Sequence, residues 1–145
     1  MSHKEKRTVV VGIDGSERSV PLLEWAAAYA ASTGAEVKTV TAWHVPEVLG
    51  HRPARAESDL SATLEDNVER LVSRTCRGVP HETVIQEDNA ARLLLREAKD
   101  AELVVVGTHG HDDTPRLGST TGALLLQARC PVVVVPAPRD RISTA

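Results

Sequence analysis

The chain has 145 residues, of which 41% are hydrophobic and 26% are charged, and its formal net charge is -3 at pH 7. This length predicts a single domain with a substantial core. The Lys and Arg residues are scattered rather than clustered, so a nucleic-acid or anionic-membrane partner is not expected. Only 2% of the residues are aromatic and none is Phe, which predicts a core of Val, Leu and Ala.

The amino-terminal segment carries no recognisable targeting or membrane signal. Polar residues 1–8 lead directly into Val9–Ile13, a run too short for a signal-peptide core or a bilayer span. We therefore expect a cytoplasmic protein without membrane contact, forming one domain over residues 1–145 with flexible tails at 1–7 and 137–145.

The two cysteines, Cys76 and Cys130, are not spaced as a Cys-x-x-Cys pair and lie near no cluster of His residues. This pattern gives no argument for a disulfide or a zinc site. Because free cysteines are commonly buried, we expect two unpaired thiols in or beside the core.

The first half of the chain begins with a strand, a helix and a second strand. Thr8–Ile13 is an unbroken apolar run, typical of a strand that is covered on both faces. Glu17–Thr33 carries apolar residues at helical spacing, and Gly34 follows where a helix needs a left-handed residue to end. Glu36–His44 is rich in Val and Thr and alternates in part, which predicts the second strand.

A long loop and the most regular helix follow. Val45–Glu57 contains Pro and Gly and shows no periodicity, so we expect a loop. Beyond it, five apolar residues recur at the spacing of one helix face. They are Leu60, Leu64, Val68, Leu71 and Val72. Gly78 and Pro80 then end this helix.

The second half continues the alternation. The half-polar segment His81–Gln86 predicts an edge strand, and Asp88 or Asn89 can cap a helix whose apolar face holds Ala91, Leu94, Leu95 and Ala98. The remaining elements are a strand Leu103–Gly107, a helix Ser119–Arg129 and a strand Val132–Val135. Such alternation predicts an α/β fold with a parallel sheet and helices on both faces. Ligands of such sheets bind beyond the carboxyl ends of the strands.

Two turns at that edge carry candidate functional residues. Asp14, Gly15 and Ser16 follow the first strand; Asp14 can accept from a ribose hydroxyl or an adenine amino group, or simply cap a helix. After the fourth strand, Gly107 and Gly110 allow close backbone approach. Gly118, Ser119 and Thr120 open the next helix, whose free N–H groups and positive dipole end favour an anion such as phosphate. Neither turn matches a P-loop or a Gly-x-Gly-x-x-Gly fingerprint.

Three blocks of the chain resemble the universal stress protein family, in the order and at about the spacing of that family. They are Val-Val-Val-Gly-Ile-Asp-Gly-Ser near the start, Leu-Val-Val-Val-Gly-Thr-His-Gly in the middle, and Gly-Ser-Thr-Thr followed by Cys-Pro-Val-Val-Val-Val near the end. The resemblance covers nearly the whole chain. It implies an open five-stranded sheet of order 3-2-1-4-5, in which strands 1 and 4 are neighbours and the two turns face each other.

The resemblance also implies a ligand, because the nucleotide-binding branch of the family carries Gly-x2-Gly-x9-Gly-Ser/Thr around the ribose and phosphates. On this resemblance Gly107, Gly110, Gly118 and Ser119 take the motif positions, Asp14 takes the place of the acidic residue near the adenosine, and Ala42 takes that of a main-chain contact to adenine. The implied ligand is ATP or another adenine nucleotide.

The loop between Gly110 and Gly118 departs from that motif, because it has seven residues instead of nine and includes Asp112 and Asp113. Two carboxylates repel a triphosphate at close range unless a cation bridges them. Either the pair holds Mg²⁺ against the phosphates, with Asp113 as the contact, or it selects a ligand with fewer phosphates, or it is a solvated loop tip.

Two other residues of this loop are candidate phosphate contacts. His109 lies beside the expected pocket as a donor, and Arg116 is the one Lys or Arg in the loop. His109 and His111 lack a third well-placed partner beyond Asp113, so a dedicated metal site is not predicted.

The last strand, Val132–Val135, lies between Pro131 and Pro136, and proline in sheets is largely confined to strand ends and edges. A bare apolar edge strand invites aggregation. In the family that the chain resembles, this strand pairs with its symmetry mate. The resemblance therefore implies a homodimer through Val132–Val135.

Three functions follow from these features. The first is a stress-response or signalling module that binds an adenine nucleotide; the second is a nucleotide-independent homodimeric interaction protein with a degenerate pocket. The third is a slow ATPase, which has the least support because no Walker lysine is present and no arginine finger is placed by the sequence. No catalytic residue is predicted, since Ser16 and Ser119 have no identifiable His base and no Gly-x-Ser-x-Gly elbow.

Overall fold

The architecture comes from a computed structural model, which describes residues 7–45, 50, 56–108 and 118–136. Within these ranges five parallel strands form one sheet of order β3-β2-β1-β4-β5. The strands are β1 (Thr8–Gly12), β2 (Glu36–Trp43), β3 (His81–Glu87), β4 (Leu103–Gly107) and β5 (Val132–Val135). The helices are α1 (Val20–Thr33), α2 (Ala56–Thr75), α3 (Ala90–Glu97) and α4 (Ser119–Gln127). The predicted α/β fold and its strand order are confirmed.

The central strands are buried on both faces because their side chains alternate between two cores. In β1, Val9 and Val11 belong to a core shared with α1 and α2, whereas Val10 belongs to a second core shared with α3 and α4. All three valines are 0% exposed. A strand with no polar face is what a parallel sheet between two helix layers requires.

The predicted helix Glu17–Thr33 is in fact two elements. Glu17–Ser19 forms a 3₁₀ turn, and α1 begins at Val20. Pro21 suits this start because its missing N–H is not needed in the first turn of a helix. As predicted, Gly34 ends the helix in the left-handed region, at φ 79°.

The start of α2 corrects the predicted loop Val45–Glu57, because the helix already begins at Ala56. Residues 46–49 and 51–55 of that loop lie outside the described residues. Of the predicted apolar stripe of α2, Val68, Leu71 and Val72 pack into the first core, whereas Leu60 and Leu64 are only half-buried. Strand ends differ from the predicted ones by one residue at most.

In α3, the cap is Asn89, whose Oδ1 accepts a hydrogen bond from the Arg92 N–H at 3.1 Å. The predicted apolar face was partly wrong. Leu93 is fully buried together with Leu94 and Ala98, whereas Ala91 and Leu95 are only half-buried. With leucine at positions 93, 94 and 95, the sequence is compatible with either of two neighbouring apolar helix faces. Packing against the sheet and α4 determines which of these leucines are buried.

Helix α4 ends at Gln127 rather than at the predicted Arg129. Ala128 is already extended, at φ -66° and ψ 144°, because the chain must turn into β5 within four residues. Pro131 adds to this requirement, since proline disfavours helical backbone in the residue before it. Within the described ranges, no helix is both long enough and apolar enough to cross a bilayer.

At the amino end of the sheet, Arg7 forms an ion pair with Glu102 and donates a hydrogen bond to the Thr33 carbonyl at 3.1 Å. These contacts join the starts of β1 and β4 to the end of α1. The rest of the predicted tails, residues 1–6 and 137–145, lies outside the described residues.

Candidate functional site

A cleft of about 480 Å³ opens at the carboxyl end of the sheet, between the turns that follow β1 and β4. This is the point where the strand order reverses, and such a point is the usual ligand site of an open α/β sheet. Six residues that the sequence singled out lie in its wall. They are Asp14, Ala42, Gly107, Gly118, Ser119 and Thr120.

The turn after β1 is organised by the Asp14 carboxylate. Its Oδ1 accepts hydrogen bonds from the Ser16 N–H at 2.9 Å, the Ser16 hydroxyl at 2.6 Å and the Ser19 hydroxyl at 3.0 Å. Gly15, between them, has φ 84°, which a side chain would disfavour. Asp14 thus shapes its own turn but does not cap a helix, because the N-caps of the 3₁₀ turn and of α1 are Ser16 and Ser19. It also places an exposed negative charge at the mouth of the cleft.

The opposite wall is the start of α4. Gly118, at the N-cap, has no side chain with which to cap the helix, and its own N–H donates to the Thr108 carbonyl at 3.0 Å. The Thr121 hydroxyl donates to the Gly107 carbonyl at 2.6 Å. The first turn of α4 is therefore fixed against the end of β4, with its backbone N–H groups and positive dipole end at the wall of the cleft.

Strand β2 contributes main-chain groups. The Ile13 N–H donates to the Val40 carbonyl at 3.0 Å, so even-numbered residues at this end of β2 direct their backbone toward β1. Ala42 is the next such residue, and β1 has ended at Gly12. The backbone N–H and C=O groups of Ala42 therefore point toward the cleft, where they can hydrogen-bond to a ligand.

The floor of the cleft is apolar and includes Leu22, Val40, Leu94 and Val106. Gly12 makes part of this floor possible, because a Cβ at that position would lie 2.8 Å from Leu94 Cδ1. Apolar walls with a few polar groups at one end are typical of small-molecule sites.

Arg18 also lies in the wall, and it is the one Lys or Arg among the described residues there. It belongs to the 3₁₀ turn after β1, so it faces the same cleft as the start of α4. Sequence reasoning missed Arg18 because it placed the residue inside a continuous helix. The Asp-Gly-Ser turn just before Arg18 was the sequence signal from which its place at the site could have been predicted.

The turn after β4 carries several other predicted site residues. Residues 109–117 lie outside the described residues, and with them Gly110, the candidate phosphate contacts His109 and Arg116, and the acidic pair Asp112 and Asp113. Among the residues that are described, no three His, Cys, Asp or Glu side chains are grouped as metal ligands.

Comparison with known proteins identifies the family. Residues 6–136 match the model of the Universal stress protein family. A universal stress protein of Mycobacterium tuberculosis (strain ATCC 25618 / H37Rv) is 35% identical over 139 residues, which cover 92% of this chain and 49% of that protein. The chain thus spans about half the length of this curated relative.

Solved structures show the same fold. A protein of the universal stress protein family from Burkholderia pseudomallei is 27% identical, with a TM-score of 0.73 over 94% of this chain and 100% of that one. A universal stress protein in complex with cAMP has a TM-score of 0.66 at 24% identity, over 90% of this chain and 97% of that one. One from Archaeoglobus fulgidus in complex with dAMP has a TM-score of 0.64 at 22% identity, over 90% and 97%.

Proposed function

The chain belongs to the universal stress protein family, and from this premise we propose that it binds an adenine nucleotide in the cleft between β1 and β4. In this proposal it acts as a stress-response or signalling module in the cytoplasm. The observation that carries the proposal is the convergence of Asp14, Ala42 and the start of α4 on one cleft of about 480 Å³. Two neighbours of the same fold hold cAMP and dAMP, both adenine nucleotides.

Each part of a nucleotide finds a matching part of the cleft. The base lies on the apolar floor of Val40 and Leu94 and meets the main chain of Ala42. The ribose hydroxyls donate to Asp14, and the phosphates accept from the N–H groups that open α4 at Ser119. This arrangement uses backbone donors for the phosphate, which suits a binding module without a catalytic lysine.

Titration calorimetry with ATP, ADP, AMP and cAMP, each with and without Mg²⁺, tests the proposal. We expect at least one of them to bind with a Kd below about 1 mM, equivalent to about 4 kcal/mol. If none does, nucleotide binding is excluded and the nucleotide-independent interaction protein takes its place. If ATP binds only with Mg²⁺, and Asp113→Ala removes that dependence, the acidic pair bridges the phosphates through the cation.

Two substitutions test where the phosphates lie. Gly118→Val puts a branched side chain at the N-cap of α4, so it is expected to weaken any nucleotide by about tenfold or more. Arg18→Ala is expected to weaken ATP more than AMP, since a cation contributes more to a ligand with more phosphate charge. Arg77→Ala, an exposed arginine outside the cleft, is the matched control and leaves both affinities unchanged.

We also propose that the protein is a homodimer through β5. All four valines of β5 are half-buried, and within the described chain this strand pairs with β4 alone. The Val104 N–H donates to the Pro131 carbonyl at 3.0 Å, so odd-numbered residues of β5 face β4 and even-numbered ones direct their backbone outward. Leu125 and Leu126 of the preceding helix add exposed apolar surface, Leu126 being 87% exposed.

Val134→Pro tests this interface because it removes an outward N–H without removing a donor to β4. Val134→Ala keeps that N–H and serves as the control for the lost side chain. Light scattering after size-exclusion chromatography is expected to show a dimer for wild type and Val134→Ala and a monomer for Val134→Pro. A wild-type monomer at micromolar concentration would refute the interface.

A further inference from the structure

A second groove, of about 500 Å³, lies on the other edge of the sheet, between α2 and β3. Glu65, Glu69 and Val72 line it from the helix, and His81, Thr83 and Ile85 line it from the strand. Val72 is buried and Ile85 is half-buried, so the floor is apolar, while both glutamates are exposed at the rim. As far as the described residues show, this groove and the proposed nucleotide site have no lining residue in common.

The strand beside this groove has backbone groups directed away from the sheet. The Val37 N–H donates to the Pro80 carbonyl at 2.9 Å, and the Asp88 N–H donates to the Trp43 carbonyl at 3.1 Å. Since parallel ladders use alternate residues, even-numbered residues of β3 face β2. His81, Thr83 and Ile85 therefore turn their N–H and C=O groups outward, and their side chains line the groove.

The charge of the groove has one sign. Glu65 and Glu69 are four residues apart on α2, where like charges disfavour each other, and no Lys or Arg is among the described residues that line the groove. Two basic residues of α2 have partners elsewhere: Arg70 donates to Asn67 Oδ1 at 3.1 Å, and Arg74 pairs with Glu17 at 2.8 Å. Lys38 of β2 lies on the opposite face of the sheet with Glu82 and Glu97.

We propose that this groove binds an extended basic peptide segment, which adds to β3 as a further strand. The outward N–H and C=O groups of β3 supply the ladder, and alternate Lys or Arg side chains of the peptide reach Glu65 and Glu69. The residues between them face the opposite side of the sheet, so the aliphatic stems of the basic side chains are what cover Val72 and Ile85. Charge complementarity selects the partner, and strand addition gives it one orientation on the edge.

A short synthetic peptide of alternating Lys and Val residues, labelled with fluorescein, is the probe, and anisotropy with the full chain is the measurement. We expect saturable binding with a Kd below about 1 mM and ¹H–¹⁵N shift changes concentrated in residues 81–87. A peptide of alternating Glu and Val is expected not to bind. Shift changes spread over the surface, or none in β3, would overturn the proposal.

Matched variants separate groove binding from general attraction to an acidic chain. Glu65→Gln with Glu69→Gln is expected to weaken the Lys-Val peptide about tenfold, whereas Asp59→Asn with Asp66→Asn removes the same charge from exposed positions outside the groove and leaves affinity unchanged. Equal losses in the two pairs would refute a specific site.

Backbone pairing between the peptide and β3 is tested separately, by comparing the affinities of the Thr83→Pro and Thr83→Val variants. Both variants remove the hydroxyl that lies 3.1 Å from Thr39 Oγ1, but only the proline removes the outward N–H. Binding is expected to be lost in the proline variant and kept in the valine variant, with circular dichroism confirming that both are folded. Equal affinity of the two variants would exclude strand addition.

Discussion

The Thr121 hydroxyl donates a 2.6 Å hydrogen bond to the Gly107 carbonyl, joining the first turn of α4 to the last residue of β4. Thr121 is only 4% exposed, so this bond lies in the interior. A second hydrogen bond, from the Gly118 N–H to the Thr108 carbonyl, joins the N-cap of α4 to the residue that follows β4. Whatever path residues 109–117 take, both ends of that turn are therefore fixed at the wall of the cleft.

Thr121→Val is expected to lower the free energy of unfolding by about 1–2 kcal/mol, because the Gly107 carbonyl loses a buried donor while the side-chain volume is kept. The same change is expected to weaken nucleotide binding, since the start of α4 is no longer held against β4. Urea denaturation and calorimetry are the measurements. Thr121→Ser keeps the hydroxyl, and if it weakened the nucleotide as much as valine does, the hydrogen bond would not be the cause.

The ion pair between Lys38 and Glu97 makes the free energy of unfolding depend on pH in the acidic range. Lys38 Nζ lies 2.7 Å from Glu97 Oε1, and this hydrogen bond lowers the pKa of the Glu97 carboxyl from its ordinary value, against the opposing effect of burial. A carboxyl whose pKa is lowered by folding stabilises the protein above its unfolded pKa, about 4.5, and loses that contribution as the pH falls through the folded value.

Glu97→Gln is therefore expected to cost about 1 kcal/mol at pH 7 and progressively less than that as the pH falls below about 4.5. Thermal unfolding from pH 3 to 7 follows the difference. Glu82→Gln is the control, because its carboxylate is 63% exposed and lies 3.9 Å from the same Lys38 nitrogen. A pH-independent difference for Glu97→Gln would show that its charge is not what matters.

The type of sheet was the part of the fold that could be predicted most directly from the sequence. Unbroken apolar runs such as Val104–Val106 can be buried on both faces only between two layers of helices. Together with the alternation of strands and helices, they indicated a parallel sheet directly. The strand order came from resemblance to a family, because pairing of β1 with both β2 and β4 depends on contacts that no local pattern encodes.

Site residues that belong to local turns could be predicted from the sequence, whereas site residues that depend on tertiary packing could not. Asp14 and Gly118 were identified from their residue type and their place, after a predicted strand and at the start of a predicted helix. Arg18 and Leu94 reach the site through the 3₁₀ turn and the packing of α3. Leu94 lies on the floor of the cleft only because Gly12, eighty-two residues earlier, leaves space for its side chain. No local pattern in the sequence reveals such a contact.

Two glycines are expected to respond to alanine with opposite sign. Gly122 lies inside α4, and a Cβ there would meet no described heavy atom within 4 Å, so Gly122→Ala is expected to raise the free energy of unfolding by about 0.5–1 kcal/mol. Gly34 also has open space, but its φ is 79°. Gly34→Ala is therefore expected to cost about 1 kcal/mol. Urea denaturation of both variants tests the pair, and a loss of stability in Gly122→Ala would mean that α4 is crowded at this point.

The two thiols are expected to differ in reactivity although burial raises the pKa of both. Cys76 is 0% exposed in the core beneath α1 and α2, whereas Cys130 is half-buried just before β5. Cys76 can react only when the structure opens, because the thiolate that attacks a reagent must be both formed and accessible. Iodoacetamide with mass spectrometry is therefore expected to label Cys130 first in the native chain, and Cys76 only after denaturation. Cys130→Ser should abolish the early phase, and labelling of Cys76 at the same rate as Cys130 would contradict its place in the core.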